Sequence, residues 1–211
     1  MAVDENAKQK SFSSTAYWRR RYRRGGNSGA GSYGRLAEYK ANYINALVRD
    51  RDIASVVEFG SGDGNQASMF DFETYTGLDI SKAAVRGCRK RFADRPGWNF
   101  APVGADPLAP HDMAMSLDVL YHLIEDEIYE RYMQDLFAAA TRFVLIYASD
   151  KDEPTQNIHV RHRHFSDWVA RNAKDWTLID APEHPYGLTE GAGQKHNSFA
   201  SFKLFQREGA A

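Results

Sequence analysis

Three glycines directly follow an apolar run, and they mark the segment where the sequence most clearly predicts chemistry. Gly60, Gly62 and Gly64 come after residues 53–59, which read as a buried strand. Glycine lets a backbone turn sharply and approach a ligand closely. The G-x-G-x-G spacing differs from the G-x-G-x-x-G of dinucleotide-binding folds. We expect a ligand-binding turn at the carboxyl end of this strand, with a plain tight connection as the alternative.

Two acids accompany this turn. Glu58 stands two residues before the first glycine, and Asp79 ends the second predicted strand. An acid at the end of strand two can accept hydrogen bonds from both hydroxyls of a ribose. Asp79 therefore indicates a nucleoside ligand.

A second polar cluster follows the fifth predicted strand. Arg161 and Arg163 can hold a phosphate, a carboxylate or a sugar nucleotide. His159, His162 and His164 invite a metal interpretation, but only Asp167 supplies a nearby carboxylate. We predict acceptor contact and no metal site, with a solvated polar loop as the alternative.

The positioning elements alternate between strand and helix, which predicts an α/β fold with a mainly parallel sheet. Hydrophobic periodicity predicts helices over 33–50, 82–93, 124–140 and 165–173. Strands are predicted at 53–59, 75–80, 98–103, 111–117, 142–148, 176–180 and 199–206.

The front of the chain is basic and aromatic. Residues 1–24 carry a net charge of +5, whereas residues 25–211 sum to −6. In a helix, Tyr17, Trp18 and Tyr22 would form an aromatic stripe beside an arginine stripe. Gly25 and Gly26 would end that helix, and residues 25–32 read as a loop.

Composition excludes several classes of protein. The 211 residues carry a net charge of −1, which is unlike a polyelectrolyte binder or a disordered acidic chain. One cysteine, Cys88, excludes a disulfide framework and a cysteine-based zinc site; we expect it to be a small buried residue. No run approaches the roughly 18 apolar residues of a membrane span, and residues 1–10 lack the apolar core of a secretory signal. We expect a cytoplasmic protein.

The glycine turn, its two acids and the segment from Ser116 to Leu123 resemble the class I S-adenosylmethionine-dependent methyltransferases. The resemblance covers about residues 53–150. It implies a Rossmann-like, doubly wound, mainly parallel seven-stranded sheet with an antiparallel last strand, plus an N-terminal helical lid. It divides the chain into an arm with a helical lid, residues 1–52, and a cofactor-binding domain, residues 53–211.

The arm also resembles that of a bacterial subgroup of such methyltransferases, through Trp18, Arg21, Tyr22 and the run from Gly25 to Ala37. Members often occur near surface-polysaccharide genes or in phage genomes. The association implies a sugar or glycan precursor as methyl acceptor, in polysaccharide biosynthesis.

The resemblance assigns roles to individual residues. His122, at the end of strand four, is the candidate base, because an imidazole accepts a proton near neutrality; packing under the cofactor or capping a helix is the alternative. The predicted cofactor-binding residues are Glu58, Gly60, Ser61, Gly62, Gly64, Asn65, Gln66, Asp79, Ile80, Ala105, Asp106, Leu117, Asp118, Tyr22 and Tyr33. The predicted substrate-binding residues are Tyr121, His159, Arg161, His162 and Arg163.

The predicted function is methyl transfer from S-adenosylmethionine, which becomes S-adenosylhomocysteine, to a hydroxyl or amine of a small molecule. Two alternatives stay open. The arginine arm could serve an RNA or DNA methyltransferase, although the acidic body and the absence of a recognised nucleic-acid module disfavour it. The chain could also bind the cofactor without catalysis. We expect a monomer or homodimer.

Overall fold

The computed structural model describes residues 12–104, 109–187 and 197–210. Seven strands of the described chain form one sheet in the order β3-β2-β1-β4-β5-β7-β6. They are β1 (Ser55–Phe59), β2 (Thr74–Asp79), β3 (Trp98–Pro102), β4 (His111–Leu117), β5 (Ala140–Ala148), β6 (Trp176–Asp180) and β7 (Ser201–Arg207).

The longer helices pack around this sheet. They are α1 (Ser14–Arg23), α2 (Gly34–Asp50), α3 (Lys82–Arg91), α4 (Asp126–Ala138) and α5 (Phe165–Asn172). Short 3₁₀ turns occur at Ala30–Ser32, Ala67–Met69 and Leu120–His122. α1 begins before the aromatic residues, because the side chain of Ser13 accepts a hydrogen bond from the N–H of Ala16 and caps the helix.

The strand directions confirm the predicted fold. β1 pairs in parallel with β2 and β4, β2 with β3, and β4 with β5. β7 lies between β5 and β6 and is antiparallel to both. The strand order reverses between β1 and β4, and in such sheets ligands bind in the crevice at the carboxyl ends of the strands at this point.

The core explains why the central strands are nearly continuous apolar runs. Residues 113–117 of β4 and 143–148 of β5 are buried on both faces, as expected for parallel strands covered by helices. α2 buries one stripe that contains Leu36, Ile44 and Leu47, and the same stripe contains one charged residue, Lys40, which is fully buried. No helix in the described ranges is long and apolar enough to cross a membrane.

Candidate functional site

A cavity of about 440 Å³ lies at the carboxyl ends of β1, β2 and β4. α1 covers one side of it with Ser14, Trp18 and Tyr22, and α4 contributes Ile128 and Tyr132. The predicted site residues that line it are Tyr22, Gly60, Asp79, Ile80, Leu117, Asp118 and His122.

The glycine turn, residues 60–64, needs its glycines for two reasons. Gly60, Gly62 and Gly64 all have φ between +57° and +93°, a region that other residues enter at a cost. The surroundings also leave no room for a side chain. A Cβ at Gly60 would collide with Val119, and one at Gly62 would lie 2.7 Å from the Tyr22 hydroxyl. The turn is therefore a close approach between backbone and neighbouring side chains.

Asp79 is tied to this turn. Its Oδ2 accepts a hydrogen bond from the N–H of Gly62 at 3.0 Å, and its Oδ1 accepts one from the N–H of Ser81 at 2.7 Å. Burial raises the pKa of Asp79 to about 6, against the opposing effect of these two N–H donors. The carboxylate retains acceptor capacity, because two oxygens offer about four lone-pair positions.

Ser61 and Glu58 lie beneath the turn and do not line the cavity. The Ser61 hydroxyl is buried and has no hydrogen-bond partner among the described residues. Glu58 is buried in β1 and accepts a hydrogen bond from the Tyr75 hydroxyl. Burial raises the pKa of Glu58 to about 7, although the Tyr75 hydroxyl and Lys40 oppose the shift. Glu58 thus faces the protein interior.

Asp118 is the charged centre at the end of β4. Its φ of +59° is unusual for a residue other than glycine. Lys40 Nζ contacts Asp118 Oδ2 at 2.5 Å, and the Tyr121 hydroxyl donates to Asp118 Oδ1 at 2.7 Å. Lys40 comes from α2 in the arm, so an ion pair between the buried Lys40 and the part-buried Asp118 joins the arm to the strand end that lines the cavity.

His122 lies beside Asp118 and contacts α1. Its Nδ1 lies 2.8 Å from the carbonyl oxygen of His159, so Nδ1 is the donor and Nε2 keeps its lone pair. The Trp18 ring packs edge-on at 4.9 Å. Burial lowers the pKa of His122 to about 4, so the ring is neutral at neutral pH.

α1 is fastened at two points across the cavity. Ser14 donates to Glu125 through both its backbone N–H, at 3.0 Å, and its hydroxyl. Arg19 Nε donates to the carbonyl of Ile80 at 3.2 Å. These bonds join α1 to the segments that follow β4 and β2 and hold the helix across the cavity; its role as a lid stays a prediction.

The arm loop, residues 25–32, closes onto the glycine turn. The N–H of Ser28 donates to Asp63 Oδ2 at 2.8 Å, and the N–H of Asp63 donates to Ser28 Oγ at 3.0 Å. The Tyr33 hydroxyl also donates to Asp63, at 2.8 Å, and Tyr22 lies 3.0 Å from Ser28 Oγ. Tyr22 lines the cavity, whereas Tyr33 is exposed on the outside of the loop.

Asn65 and Gln66 also face the arm. Asn65 Nδ2 donates to the carbonyl of Ser32 at 2.7 Å, and Gln66 Nε2 donates to that of Ala37 at 3.1 Å. Neither residue lines the cavity. The structure shows them holding the arm to the glycine turn, and their predicted contact with a cofactor stays a prediction.

The two arginines predicted to bind substrate have partners within the chain. Arg161 donates to the carbonyl of Ile124 at 2.9 Å and pairs with Asp126. Arg163 donates to Leu123, Ile124 and Asp126. Both guanidinium groups therefore hold the segment before α4, and neither lines the cavity.

The histidines of this cluster diverge. His159 stacks on Tyr17 at 5.2 Å, whereas His162 Nδ1 lies 2.7 Å from the Ser149 hydroxyl. Within the described ranges no group of three histidine, cysteine or acidic residues could hold a metal ion. Tyr121, predicted to bind substrate, is buried against Asp118 and does not line the cavity. Cys88 is buried, as predicted, and its Sγ lies 3.4 Å from the Gly62 carbonyl oxygen. Ala105 and Asp106, predicted beside an adenine, lie outside the described residues.

Several solved methyltransferases share this architecture. The N-methyltransferase NodS from Bradyrhizobium japonicum, in complex with S-adenosyl-L-homocysteine, aligns over 92% of this chain and 98% of its own, with a TM-score of 0.70 and 11% identity. Magnesium protoporphyrin IX methyltransferase from Synechocystis PCC 6803, with bound SAH, aligns over 97% and 100%, with a TM-score of 0.62 and 16% identity. The methyltransferase domain of a bacterial CtHen1 aligns over 82% and 97%, with a TM-score of 0.64 and 16% identity.

The chain has the Rossmann-like methyltransferase fold. A scan of protein-family models finds no match, and neither does a search of curated protein sequences. At these identities the likeness concerns the fold alone.

Lys40 and Ser28 are among the residues of the site that the sequence predictions missed. Lys40 had a detectable signal: it lies four residues after Leu36 and four before Ile44, on the apolar stripe of α2. A charge on such a stripe must find a buried partner. Ser28 belongs to the arm run that resembles the bacterial subgroup, but nothing in that run predicts its contact with Asp63.

Proposed function

We propose that this protein is an S-adenosylmethionine-dependent methyltransferase that transfers a methyl group to a hydroxyl or amine of a small molecule. The supporting observation is Asp79: a buried carboxylate, bonded to the glycine turn, lines a cavity at the strand-order reversal of a methyltransferase fold. This is the position at which an acid selects a ribose.

The residues present fit the cofactor. Asp79 would accept the ribose hydroxyls with the acceptor capacity that its two N–H bonds leave. The glycine turn would border the amino acid part through Gly60, the one residue of the turn that lines the cavity among the described residues. Ile80 and Leu117 supply apolar walls for the adenine, and the contacts predicted for Ala105 and Asp106 remain part of the proposal.

When bound, S-adenosylmethionine supplies an electrophilic methyl group on a sulfonium sulfur. The chain contributes position, exclusion of water and a proton acceptor. α1 covers the cavity and excludes solvent. His122 remains the proposed proton acceptor, because its Nε2 is free of the bond to His159, but burial lowers its pKa to about 4 and makes it a weaker base than a free imidazole. Asp118, held by Lys40 and Tyr121, is a fixed carboxylate that orients a hydroxyl or amine beside His122.

We further propose a sugar or glycan precursor as acceptor, on the basis of the arm's resemblance to the bacterial subgroup. The neighbours in the fold include an N-methyltransferase and a magnesium protoporphyrin IX methyltransferase, so the fold is compatible with different acceptors. No described contact is specific for a sugar.

Calorimetry with S-adenosylmethionine tests the cofactor proposal. We expect binding by the wild type, and a loss of at least about tenfold in Asp79→Ala, because a buried charge-assisted hydrogen bond contributes about 1.5–3 kcal/mol. Asp71→Ala is the matched control, since Asp71 is exposed. Absence of binding by the wild type would exclude the proposed function. Binding without transfer of a labelled methyl group to cell extracts or glycan fractions would favour a non-catalytic domain.

A further inference from the structure

Two neighbouring helices present a cluster of basic residues. α1 with its cap residue, residues 14–24, holds five arginines and packs against α3. α3 holds three arginines and two lysines. Neither segment contains an acidic residue. Nine of these ten cationic side chains are exposed; we refer to the ten as the basic surface.

The rest of the chain has the opposite charge. Outside residues 14–24 and 82–91 there are 17 basic and 28 acidic residues. The net charge of −1 is therefore the sum of +10 on these two segments and −11 on the rest of the chain. A concentration of charge of one sign attracts a partner of the opposite sign and determines where on the protein that partner binds.

The side chains of the basic surface indicate which anion it suits. Eight of the ten are arginines, whose planar guanidinium groups match the oxygens of a phosphate better than lysine does. The large apolar residues that are exposed in the described chain are Tyr33, Val103, Ile158, Leu178 and Ile179, all outside both helices. A membrane-binding helix needs an exposed apolar face, so a lipid surface is disfavoured and a soluble polyphosphate chain is favoured.

We propose that the basic surface binds the phosphodiester backbone of a single-stranded nucleic acid. The opposite face of α1 lines the cavity through Ser14, Trp18 and Tyr22. A strand across α1 and α3 therefore runs over the helix that covers the cavity, and an unpaired nucleotide can reach a covered cavity where a stacked base pair cannot. Binding does not depend on methyl transfer; if both occur, the strand is the acceptor and replaces the proposed sugar.

Fluorescence anisotropy with labelled oligonucleotides tests the surface. The probes are single-stranded RNA, single-stranded DNA and duplex DNA of about 20 nucleotides, a length that exceeds typical single-strand site sizes. We expect binding of one or both single strands, with log K falling against log salt by about 0.7 for each phosphate contacted. Comparison of the RNA and DNA probes shows which of these two nucleic acids, which share the phosphodiester linkage, the basic surface binds.

Charge reversal on each helix separately keeps the test independent of folding defects. Arg20→Glu with Arg23→Glu changes α1, and Arg86→Glu with Lys90→Glu changes α3. Arg171→Glu with Lys174→Glu, at the end of α5, is the control with the same change in net charge and the same exposed setting. We expect each of the first two pairs to weaken binding at least tenfold and to reduce the salt slope by about 1.4; the control should change binding less than twofold.

Two results would overturn the proposal: no binding of any oligonucleotide, whether or not vesicles of anionic lipid bind, or equal losses in the control pair. Calorimetry with S-adenosylmethionine on the same variants separates the proposals. Cofactor binding that persists while the strand fails to bind would contradict only the basic surface. If the wild type binds the oligonucleotide but not S-adenosylmethionine, only the proposed function would be contradicted.

Discussion

Ser28 and Asp63 exchange two hydrogen bonds, one from each backbone N–H to the side chain of the other residue. The residues are 35 positions apart, and they join the arm loop to the glycine turn. Burial favours a raised pKa for Asp63, but the N–H groups of Asn65 and Ser28 and the Tyr33 hydroxyl hold it below its usual range. Asp63 is thus a charged anchor for the arm.

Ser28→Ala should loosen the arm. It removes the bonds from Ser28 Oγ to Asp63 and Tyr22, each contributing about 1 kcal/mol. We expect trypsin to cleave faster after the exposed Arg23 and Arg24. Ser68→Ala, which deletes an exposed hydroxyl bonded to Asn65, is the control. Equal cleavage of the wild type and Ser28→Ala would show that this bond does not hold the arm.

Gly62→Ala should disturb the contact between the arm loop and the glycine turn by a change in the turn. Both Gly62 and Gly25 have positive φ, at +57° and +77°, so alanine at either position costs about 1–2 kcal/mol of backbone strain. At Gly62 the added Cβ also meets Ser28 and Tyr22, whereas at Gly25 it meets nothing within 4 Å. We expect a lower Tm for Gly62→Ala than for Gly25→Ala; equal Tm values would contradict the close approach.

Binding of the nucleoside should weaken in acid because of Asp79. A ribose hydroxyl donates to the carboxylate, so a proton competes with it. Burial raises the pKa of Asp79 to about 6, so affinity is complete well above pH 6 and falls about tenfold by pH 5. Adenosine is the probe, since it carries no amino acid group that titrates in this range.

The same titration in variants assigns the effect. Asp79→Asn should bind adenosine weakly, with little change between pH 8 and pH 5. Glu58→Gln should keep the pH dependence, because Glu58 faces Tyr75 and not the cavity. A pH dependence that disappears in Glu58→Gln and persists in Asp79→Asn would refute the assignment to Asp79.

His122→Ala should lower kcat by a factor of about 10²–10⁴, the usual contribution of a positioned base, and leave cofactor affinity nearly unchanged. Burial keeps the pKa of His122 near 4, so its protonation produces no fall in rate between pH 8 and pH 6. The control is His164→Ala, an exposed histidine that does not line the cavity. Equal losses of kcat and affinity would make His122 part of the cofactor pocket instead.

The order of strands and helices was predictable from local patterns. Residues 111–117 and 176–180 were predicted as strands with the bounds that the structure has. Buried parallel strands appear in the sequence as apolar runs, and surface helices appear as apolar residues spaced three and four apart. Both patterns can be recognised without knowing which distant residues the element contacts. The glycine turn and Asp79 were likewise visible, because a tight turn demands glycine and a strand end is fixed by its neighbours.

Only the tertiary structure decided which polar residues meet across the chain. Lys40 and Asp118 are 78 residues apart, and Ser28 and Asp63 are 35 apart; α1 and α3 join into one basic surface only after folding. Arg161 and Arg163 were predicted to bind substrate, but both donate hydrogen bonds to the segment before α4. The spacing of residues along the chain shows which side chains share a face of one helix or strand. The partner of a buried charge depends instead on which residues folding brings close to it.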